Sequence, residues 1–244
     1  MQTKWTKPPD KLNLELNQVD VWRISLDLEP ASVQQTESTL SADESQRAAR
    51  FHFDKDRHRF LVSHVALRDV LSRYLYIGPG DINFTIGEYG KPAITSDLKL
   101  DFNLSHSGDY ALIAVAREHK VGVDVENFRT NMEIDKIARR FFSEEENSEL
   151  LGLPTEQRIT GFFNCWTRKE AYIKAHGLGL SLPLDSFDVS LTPNEPTVLR
   201  ATRPDPQEAS RWTLLSLDIE EQYAGAVAVE GKGLNFKFLD WMKE

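Results

Sequence analysis

The chain contains 244 residues, 40% of them hydrophobic, and its 29 basic and 38 acidic side chains give a formal net charge of −9. This size and composition allow a sizeable buried core, arranged as one large domain or as two small ones. The acidic balance argues against a general nucleic-acid-binding protein, because contacts to phosphates need a positive surface.

The N-terminal part of the chain is polar. Residues 1–10 carry charges and lack the apolar centre of a signal peptide or a membrane anchor, so we expect neither. Further along, a short stretch is rich in basic side chains, either as a local patch that receives an anion or as a solvated helix face of mixed charge. The basic residues of this stretch are Arg47, Arg50, Lys55, Arg57 and Arg59.

A helix followed by strands is predicted next. From Arg57 to Tyr76 apolar residues recur on one helical face, and Gly78-Pro79-Gly80 ends the segment. Three β-like segments follow: Ile82–Ile86, the stretch around Phe102–Leu104, and Tyr110–Ala116. The last of them contains the longest purely apolar run, which is far shorter than the roughly 20 residues of a membrane-spanning helix. We therefore expect a buried strand there, and a soluble protein.

The second half of the chain repeats this order. A helix is predicted from Glu156 to Ala175, and strands are predicted at Phe187–Leu191, Trp212–Ile219 and Tyr223–Val229. The last strands of the two halves look alike, since both begin with tyrosine and continue with small apolar residues. This similarity indicates an internal duplication.

A duplication predicts two α+β units side by side, residues 1–119 and 120–244, with a ligand-binding cleft between them. The seam between the units is expected in the middle of the chain. It consists of the strand-like segment Val121–Glu126, the polar stretch Asn127–Asn131 and a helical segment from Glu133 to Phe142.

Two carboxylates lie on one face of the seam strand. Valines alternate along Val121–Glu126, which is the pattern of a strand with one buried face, so Asp124 and Glu126 share the other face. Their backbones are about 6.7 Å apart, which lets both carboxylates converge on one cation. The alternative is that they are ordinary outward-facing polar residues of a half-exposed strand.

A third carboxylate lies within an apolar helix stripe. Phe163, Trp166, Glu170 and Ile173 are spaced by three, four and three residues, so Glu170 faces the core side. A buried carboxylate requires a cation opposite it, either a lysine or a metal ion. Three oxygen ligands with open positions suit Mg²⁺. A single cysteine, Cys165, excludes a disulfide framework and a cysteine-rich zinc site, and it fits a reducing cytoplasm.

Basic and polar residues near these acids are candidates for anion binding. Lys174 lies one turn beyond Glu170 on the same side of the helix, where an ordinary i, i+4 ion pair is the alternative. Lys169 could snorkel outward, as most helical lysines do. Lys91 is presented by a rigid loop, and the Ser105-His106 pair precedes a buried strand. A serine hydrolase is poorly supported, because the Gly-x-Ser-x-Gly elbow is absent.

Taken together and in order, these segments resemble the motifs of the Sfp-type 4'-phosphopantetheinyl transferases, from about Leu40 to Ser190. The elements that carry the resemblance are Gly90-Lys91-Pro92, Asn103-Leu104-Ser105-His106-Ser107, Val121-Gly122-Val123-Asp124-Val125-Glu126, Phe141-Phe142-Ser143 with Glu146, Trp166-Thr167-Arg168-Lys169-Glu170-Ala171 with Lys174, Gly177-Leu178-Gly179-Leu180 to Pro183, and the Arg47–Phe51 region. Glu144 and Glu145 offer acids beyond those the family uses, and with Ser143 they are expected to begin a helix.

The resemblance implies an α+β fold of two pseudo-twofold-related halves, with coenzyme A bound at their interface. It implies that Asp124, Glu126 and Glu170 hold Mg²⁺, that Glu170 is the base for the incoming hydroxyl, and that Lys174 stabilises the leaving group. Asp124 also counts among the catalytic residues. The residues that the resemblance implies for coenzyme A phosphates are Arg47, Lys91, Ser105, His106, Lys169 and Lys174.

The activity implied is transfer of 4'-phosphopantetheine from coenzyme A to a serine of an apo carrier protein, which releases 3',5'-ADP. The resemblance implies a cytoplasmic monomer, with no nucleic-acid or membrane partner. The helical segment from Glu133 and the stretch Asn127–Asn131 are candidates for the carrier-binding surface. Two rivals remain: another Mg²⁺-dependent phosphohydrolase acting on a nucleotide-type pyrophosphate, and a noncatalytic carrier-binding module.

Overall fold

The computed structural model describes residues 3–28, 37–129, 132–203 and 205–241, without the side chain of Leu180. The helices are α1 Ala42–Ala48, α2 Asp54–Leu75, α3 Ile134–Phe141, α4 Glu144–Gly152, α5 Thr155–His176 and α6 Glu208–Arg211. The strands are β1 Gln18–Ser25, β2 Thr85–Ile86, β3 Pro92–Ala93, β4 Leu100–Ser107, β5 Tyr110–Arg117, β6 Val121–Asn127, β7 Phe187–Val189, β8 Leu199–Thr202, β9 Trp212–Leu217, β10 Tyr223–Glu230 and β11 Asn235–Trp241.

Two main sheets carry the fold, in the orders β11-β1-β5-β4 and β6-β10-β9. The units β1-β5-β4 and β6-β10-β9 are both antiparallel and match strand for strand. The helices α2 and α5 each contain 22 residues and end in a left-handed residue, Tyr76 and Gly177. The prediction of an α+β protein with two similar halves is therefore confirmed.

The apolar residues form three clusters that follow this arrangement. One cluster lies between α2 and the first sheet, and a second lies between α5 and the second sheet. The third joins the two sheets face to face, and it contains the valines of β6, Val121, Val123 and Val125, which are at most 1% exposed. Because side chains alternate along a strand, the opposite face of β6 presents Asp124 and Glu126 toward α5 and β4.

The last strand does not follow the predicted boundary at 119/120. β11 pairs in parallel with β1, from Gln18↔Asn235 to Ile24↔Trp241, so residues 235–241 extend the sheet of the first half. Sequence patterns revealed neither β1 nor β11. The boundary itself, as a division into two halves, stays a prediction.

One local prediction was wrong. The strand predicted at Ile82–Ile86 is reduced to Thr85–Ile86, because a 3₁₀ turn at Pro79–Asp81 takes up the start of this segment. Ser105 and His106 precede the buried strand β5, as predicted, and they lie within β4, so their side chains point to opposite faces of that strand. No helix in the part of the chain that the structure describes is long and apolar enough to cross a membrane.

Candidate active site

Helix α5 lies directly against β6 at Gly122. A Cβ atom at this position would stand 2.1 Å from the carbonyl oxygen of Ala171 and 2.3 Å from the amide nitrogen of Ala175. Glycine on the strand and two alanines on the helix therefore allow a close backbone approach. This contact places Glu170 and Lys174, the neighbours of the two alanines, beside the carboxylates of β6.

The strands β4 and β6 meet through side chains of β4 instead of a backbone ladder. The amide of Val121 donates to Asp101 Oδ2 at 2.8 Å, and the amide of Val123 donates to Asn103 Oδ1 at 2.9 Å. Polar side chains at alternate positions of β4 thus satisfy the backbone of β6. The seam between the halves is therefore polar and lies beside the acids.

Asp124 is at the centre of the site and only 3% exposed. Its Oδ1 accepts hydrogen bonds from Ser105 Oγ at 2.8 Å and from Lys174 Nζ at 2.6 Å. Its Oδ2 is buried and has no hydrogen-bond partner among the residues that the structure describes. A buried carboxylate oxygen without a partner is costly, so this atom is available to a cation or a donor that a ligand brings.

Lys174 connects the helix to the strand. Its Nζ also donates to Ser105 Oγ at 2.9 Å, and its side chain is 28% exposed. The alternative of an i, i+4 ion pair with Glu170 is wrong, because the ammonium pairs with Asp124 across the seam. Lys174 therefore already neutralises one of the three acids.

Glu126 is the next acid along β6. Its Oε2 accepts a hydrogen bond from Ser107 Oγ at 2.8 Å, and Arg129 Nη2 lies 3.8 Å from the same oxygen. Burial raises the pKa of Glu126, and the charge of Asp124 raises it further. The two carboxylates thus lie close enough for one to disfavour ionisation of the other.

Glu170 is half-buried on α5 and has no hydrogen-bond or ion-pair partner within the described ranges. Burial makes the largest contribution and raises the pKa of Glu170. The charge of Asp124 raises this pKa further, the charge of Lys174 lowers it, and the charge of Glu126 adds a smaller increase. The three acids therefore form one electrostatic unit in which negative charge exceeds positive charge.

A metal site at these acids stays a prediction. No group of three or more histidine, cysteine or acidic side chains among the described residues is arranged to hold a metal ion. The residues nevertheless fit Mg²⁺, because the donors are all oxygens and Asp124 Oδ2 is a buried oxygen without a partner. The excess negative charge around Glu126 and Glu170 favours a dication for the same reason.

A basic cavity of about 350 Å³ lies in the first half, where residues of α1, α2 and β4 meet. The guanidinium of Arg47 lies over the ring of Phe60, 5.4 Å from its centroid. The ring of His64 stacks on the ring of Phe60, with 3.8 Å between the two centroids. Burial lowers the pKa of His64 to about 4. Desolvation lowers the pKa of His106 as well, and the charge of Lys174 adds to this effect. The cavity is lined by Arg47, Arg50, Phe51, Phe60, His64 and His106.

Lys91 directly precedes β3, and its ammonium group reaches the start of β6. Its Nζ donates to Asp101 Oδ2 at 2.7 Å and to the carbonyl oxygen of Val121 at 3.0 Å. The third N–H of the ammonium can still reach a ligand. The structure thus brings Lys91 to the same seam as Ser105, while its contact with a phosphate stays a prediction.

Lys169 is not available to a phosphate, and the prediction that it snorkels outward is wrong. Its side chain is 0% exposed, and its ammonium lies 2.8 Å from Glu146 Oε2. The carbonyl oxygens of Leu184 and Phe187 accept its other two hydrogen bonds, both at 2.7 Å. All three donors are therefore used inside the protein, and Lys169 anchors α5 to the segment before β7.

Glu146 completes this anchor. It closes a capping box with Ser143 at the start of α4, as expected for a helix that begins there, and its Oε1 accepts from the amide of Val189 at 2.8 Å.

An alternating polar pattern along Asp101–Ser107 was the signal that could have identified Asp101, Asn103 and Ser107. The stretch Asn127–Asn131 lies partly outside the described residues.

The fold and the site define a protein of two similar α/β halves, with an acidic, lysine-containing site at the seam and a basic cavity lined by residues of the first half. A family described as the 4'-phosphopantetheinyl transferase superfamily matches residues 120–228, and one described as 4'-phosphopantetheinyl transferase, N-terminal, matches residues 28–118. The chain is 39% identical to the 4'-phosphopantetheinyl transferase HetI of Nostoc sp. over 241 residues, 98% of either chain. The chain therefore belongs to the 4'-phosphopantetheinyl transferase family.

Two further sequence relatives agree. The 4'-phosphopantetheinyl transferase Sfp of Bacillus subtilis is 40% identical over 154 residues, 63% of this chain and 67% of its own. A putative 4'-phosphopantetheinyl transferase of Synechocystis sp. is 35% identical over 74% of this chain and 72% of its own. A holo-(acyl-carrier-protein) synthase from Bacillus anthracis, solved in complex with CoA (3',5'-ADP), aligns with 45% of this chain and 93% of its own at a TM-score of 0.38 and 22% identity. The resemblance to the Sfp-type enzymes is confirmed.

Proposed function

We propose that this protein transfers the 4'-phosphopantetheine group of coenzyme A to a serine hydroxyl of an apo carrier protein, giving holo carrier protein and 3',5'-ADP. One observation supports this assignment above the others. The buried Asp124, whose Oδ2 has no partner, faces a lysine and two further acids at the seam. Such a site suits a phosphate-bound dication and a departing anion.

In this reaction the serine oxygen forms a bond to the β-phosphorus of coenzyme A, and the bridging P–O bond to 3',5'-ADP breaks. Asp124, Glu126 and Glu170 would hold Mg²⁺, which when bound supplies positive charge to the pyrophosphate oxygens. The carboxylate of Glu170 would accept the serine proton, directly or through a water. Its raised pKa makes it a stronger base than an exposed glutamate.

The lysines and the basic cavity would stabilise the leaving group. Lys174, which bridges Ser105 and Asp124, would donate to the departing 3',5'-ADP. Arg47 and His106, both at the basic cavity, would bind its phosphates together with Ser105 and Lys91. The neutral form of His106, favoured by its lowered pKa, can still donate one hydrogen bond.

Carrier recognition is proposed at α3. This helix presents the basic residues Arg139 and Arg140 in its last turn, and the half-buried Phe141 packs edge-on against Trp166 of α5 at 5.8 Å. A basic and apolar surface next to the helix that carries Glu170 suits an acidic carrier whose serine must reach the seam. We further propose a monomer in the cytoplasm, on the basis of the family resemblance alone.

The test is to incubate the protein with coenzyme A, Mg²⁺ and an apo carrier protein, and to weigh the carrier by mass spectrometry. Transfer increases the carrier mass by one phosphopantetheine, about 340 Da from the chemistry of the group. Release of phosphate without carrier modification would instead indicate a phosphohydrolase, and binding of the carrier without either product would indicate a noncatalytic module. The variant Glu170→Gln, which preserves shape and removes the base, should bind coenzyme A and fail to transfer.

A further inference from the structure

In the free protein the ammonium group of Lys174 pairs with Asp124, a carboxylate that the proposed cation needs as a ligand. Lys174 Nζ and Ser105 Oγ both donate to Asp124 Oδ1, at 2.6 and 2.8 Å, and Lys174 Nζ also donates to Ser105 Oγ at 2.9 Å. These three groups form a closed triangle of hydrogen bonds. Oδ1 is therefore committed inside the protein, and only Oδ2 is left.

The triangle opposes a cation at the remaining oxygen. The two oxygens of a carboxylate lie about 2.2 Å apart, so a dication on Oδ2 would stand within a few ångströms of the ammonium on Oδ1. At 3% exposure, Asp124 has little water around it to screen that repulsion. The ammonium of Lys174 therefore opposes a cation on Asp124 Oδ2 in the free protein.

A pyrophosphate removes the conflict. Its oxygens would offer Lys174 a new anionic partner, and the partly exposed lysine, with several rotatable bonds, can turn toward it. We propose that Lys174 guards Asp124 in the free protein, so that the divalent cation binds together with the pyrophosphate of coenzyme A and only weakly before it. This inference rests on the proposed function, because it takes Asp124 as a metal ligand.

The experiment measures binding of Mn²⁺ alone, as a spectroscopic substitute for Mg²⁺, by electron paramagnetic resonance of the free ion. Wild-type protein should bind Mn²⁺ weakly, and coenzyme A should increase the affinity, while pantetheine, which has no phosphate, should not. Lys174→Met retains the length of the side chain and removes its charge. In the absence of coenzyme A this variant should bind Mn²⁺ about tenfold more tightly than the wild type, since one like charge is lost.

The matched control is Lys99→Met. Lys99 pairs with Glu118 at 3.4 Å, its side chain is 73% exposed, and it lies six residues from Ser105, about 20 Å along the strand. This variant changes the net charge by the same amount and should bind Mn²⁺ as the wild type does. Equal Mn²⁺ affinity for Lys174→Met and wild type would overturn the inference, as would tight wild-type binding that coenzyme A leaves unchanged.

If Lys174→Met does not fold, the wild-type measurement can still overturn the inference, because tight Mn²⁺ binding that coenzyme A leaves unchanged would be seen with the two ligands alone. It also separates this inference from the proposed function. A carrier mass gain with Mn²⁺ binding that is independent of coenzyme A would refute the guarding role and leave the transferase standing. Coenzyme-dependent Mn²⁺ binding without any carrier mass gain would refute the transferase and leave the guarding role standing.

Discussion

Replacing Gly122 by alanine tests whether the close approach of α5 to β6 sets the geometry of the site. The new Cβ would stand 2.1 Å from the carbonyl oxygen of Ala171 and 2.3 Å from the amide nitrogen of Ala175, whereas Cβ contacts below 3.0 Å are essentially never seen. Both atoms belong to the helix backbone, so no flexible side chain can yield. The helix must therefore move away from the strand by about 1 Å.

Such a movement should affect stability and activity differently. Overpacking a core contact costs about 1–3 kcal/mol, which for a chain of this length lowers Tm by roughly 2–10 °C. The shift also carries Glu170 and Lys174 away from Asp124, and a misplacement of about 1 Å can reduce the rate roughly 100-fold. At a temperature where the variant is folded, we therefore expect a transfer rate reduced far more than the folded fraction.

The assay combines carrier modification by mass spectrometry with thermal unfolding followed by circular dichroism. Gly152→Ala is the matched control, because a Cβ at Gly152, the last residue of α4, meets no atom within 4 Å. That variant should keep both Tm and transfer rate. A Gly122→Ala protein with wild-type Tm and wild-type transfer would refute the claim that this contact positions the site.

Three further substitutions test single groups. Asp124→Asn should reduce transfer at least about 100-fold and abolish the increase in Mn²⁺ affinity caused by coenzyme A, since an amide oxygen is a weaker ligand than a carboxylate; retention of that increase would contradict its role. Glu170→Gln should have a higher Tm than the wild type at pH 7 without ligands, because the raised pKa of Glu170 means that its stabilising contribution is complete below its ordinary pKa and is lost as pH rises through the raised value. This difference in Tm should vanish near pH 4, and a difference in Tm that is constant with pH would contradict the raised pKa of Glu170. Lys169→Met should cost about 3–5 kcal/mol in a denaturant titration, because it leaves Glu146 buried and unpaired. Lys55→Met, at an exposed ion pair with Asp109, should cost less than about 1 kcal/mol, and equal costs would refute the anchoring role of Lys169.

The sequence predicted the elements that have a strong local signal. The helix of Glu170 follows from the spacing of Phe163, Trp166 and Ile173, and the two long helices of the structure agree with the predicted ones within a few residues. The facing of Asp124 follows from the valines beside it, because alternation in a strand is a local property. These patterns were sufficient to identify the acids, and the family resemblance supplied their proposed roles.

Other features depend on contacts that are distant in sequence. The parallel pairing of β1 with β11 joins residues more than 200 positions apart, and no local pattern specifies such a partner. The burial of Lys169 was not predicted, because a lysine is ordinarily exposed. Only the fold shows that Glu146 and two carbonyl groups surround its ammonium. The partner of Lys174 was likewise open, since Glu170 is near in sequence and Asp124 is near in space.

The strand β11 is also a reason to expect one reaction centre in a chain of two similar halves. Strand pairing puts Trp22 of β1 at the position that Asp124 holds in β6, since their partners Ile113 and Ala226 are equivalent in β5 and β10. Asp69 of α2 corresponds to Glu170 by the equal lengths of the two helices. Instead of facing a ligand, Asp69 accepts a hydrogen bond from Trp241 Nε1 of β11 at 2.8 Å.

The second cleft that the repeat could have formed is thus filled by the chain's own C-terminal strand and an indole ring. Arg73, which corresponds to Lys174 by the same comparison of the helices, pairs with Asp69 at 2.9 Å. We therefore expect isothermal titration to give a stoichiometry of one coenzyme A per chain. The two halves of this molecule therefore have similar backbones and different chemistry, and the seven residues of β11 account for part of that difference.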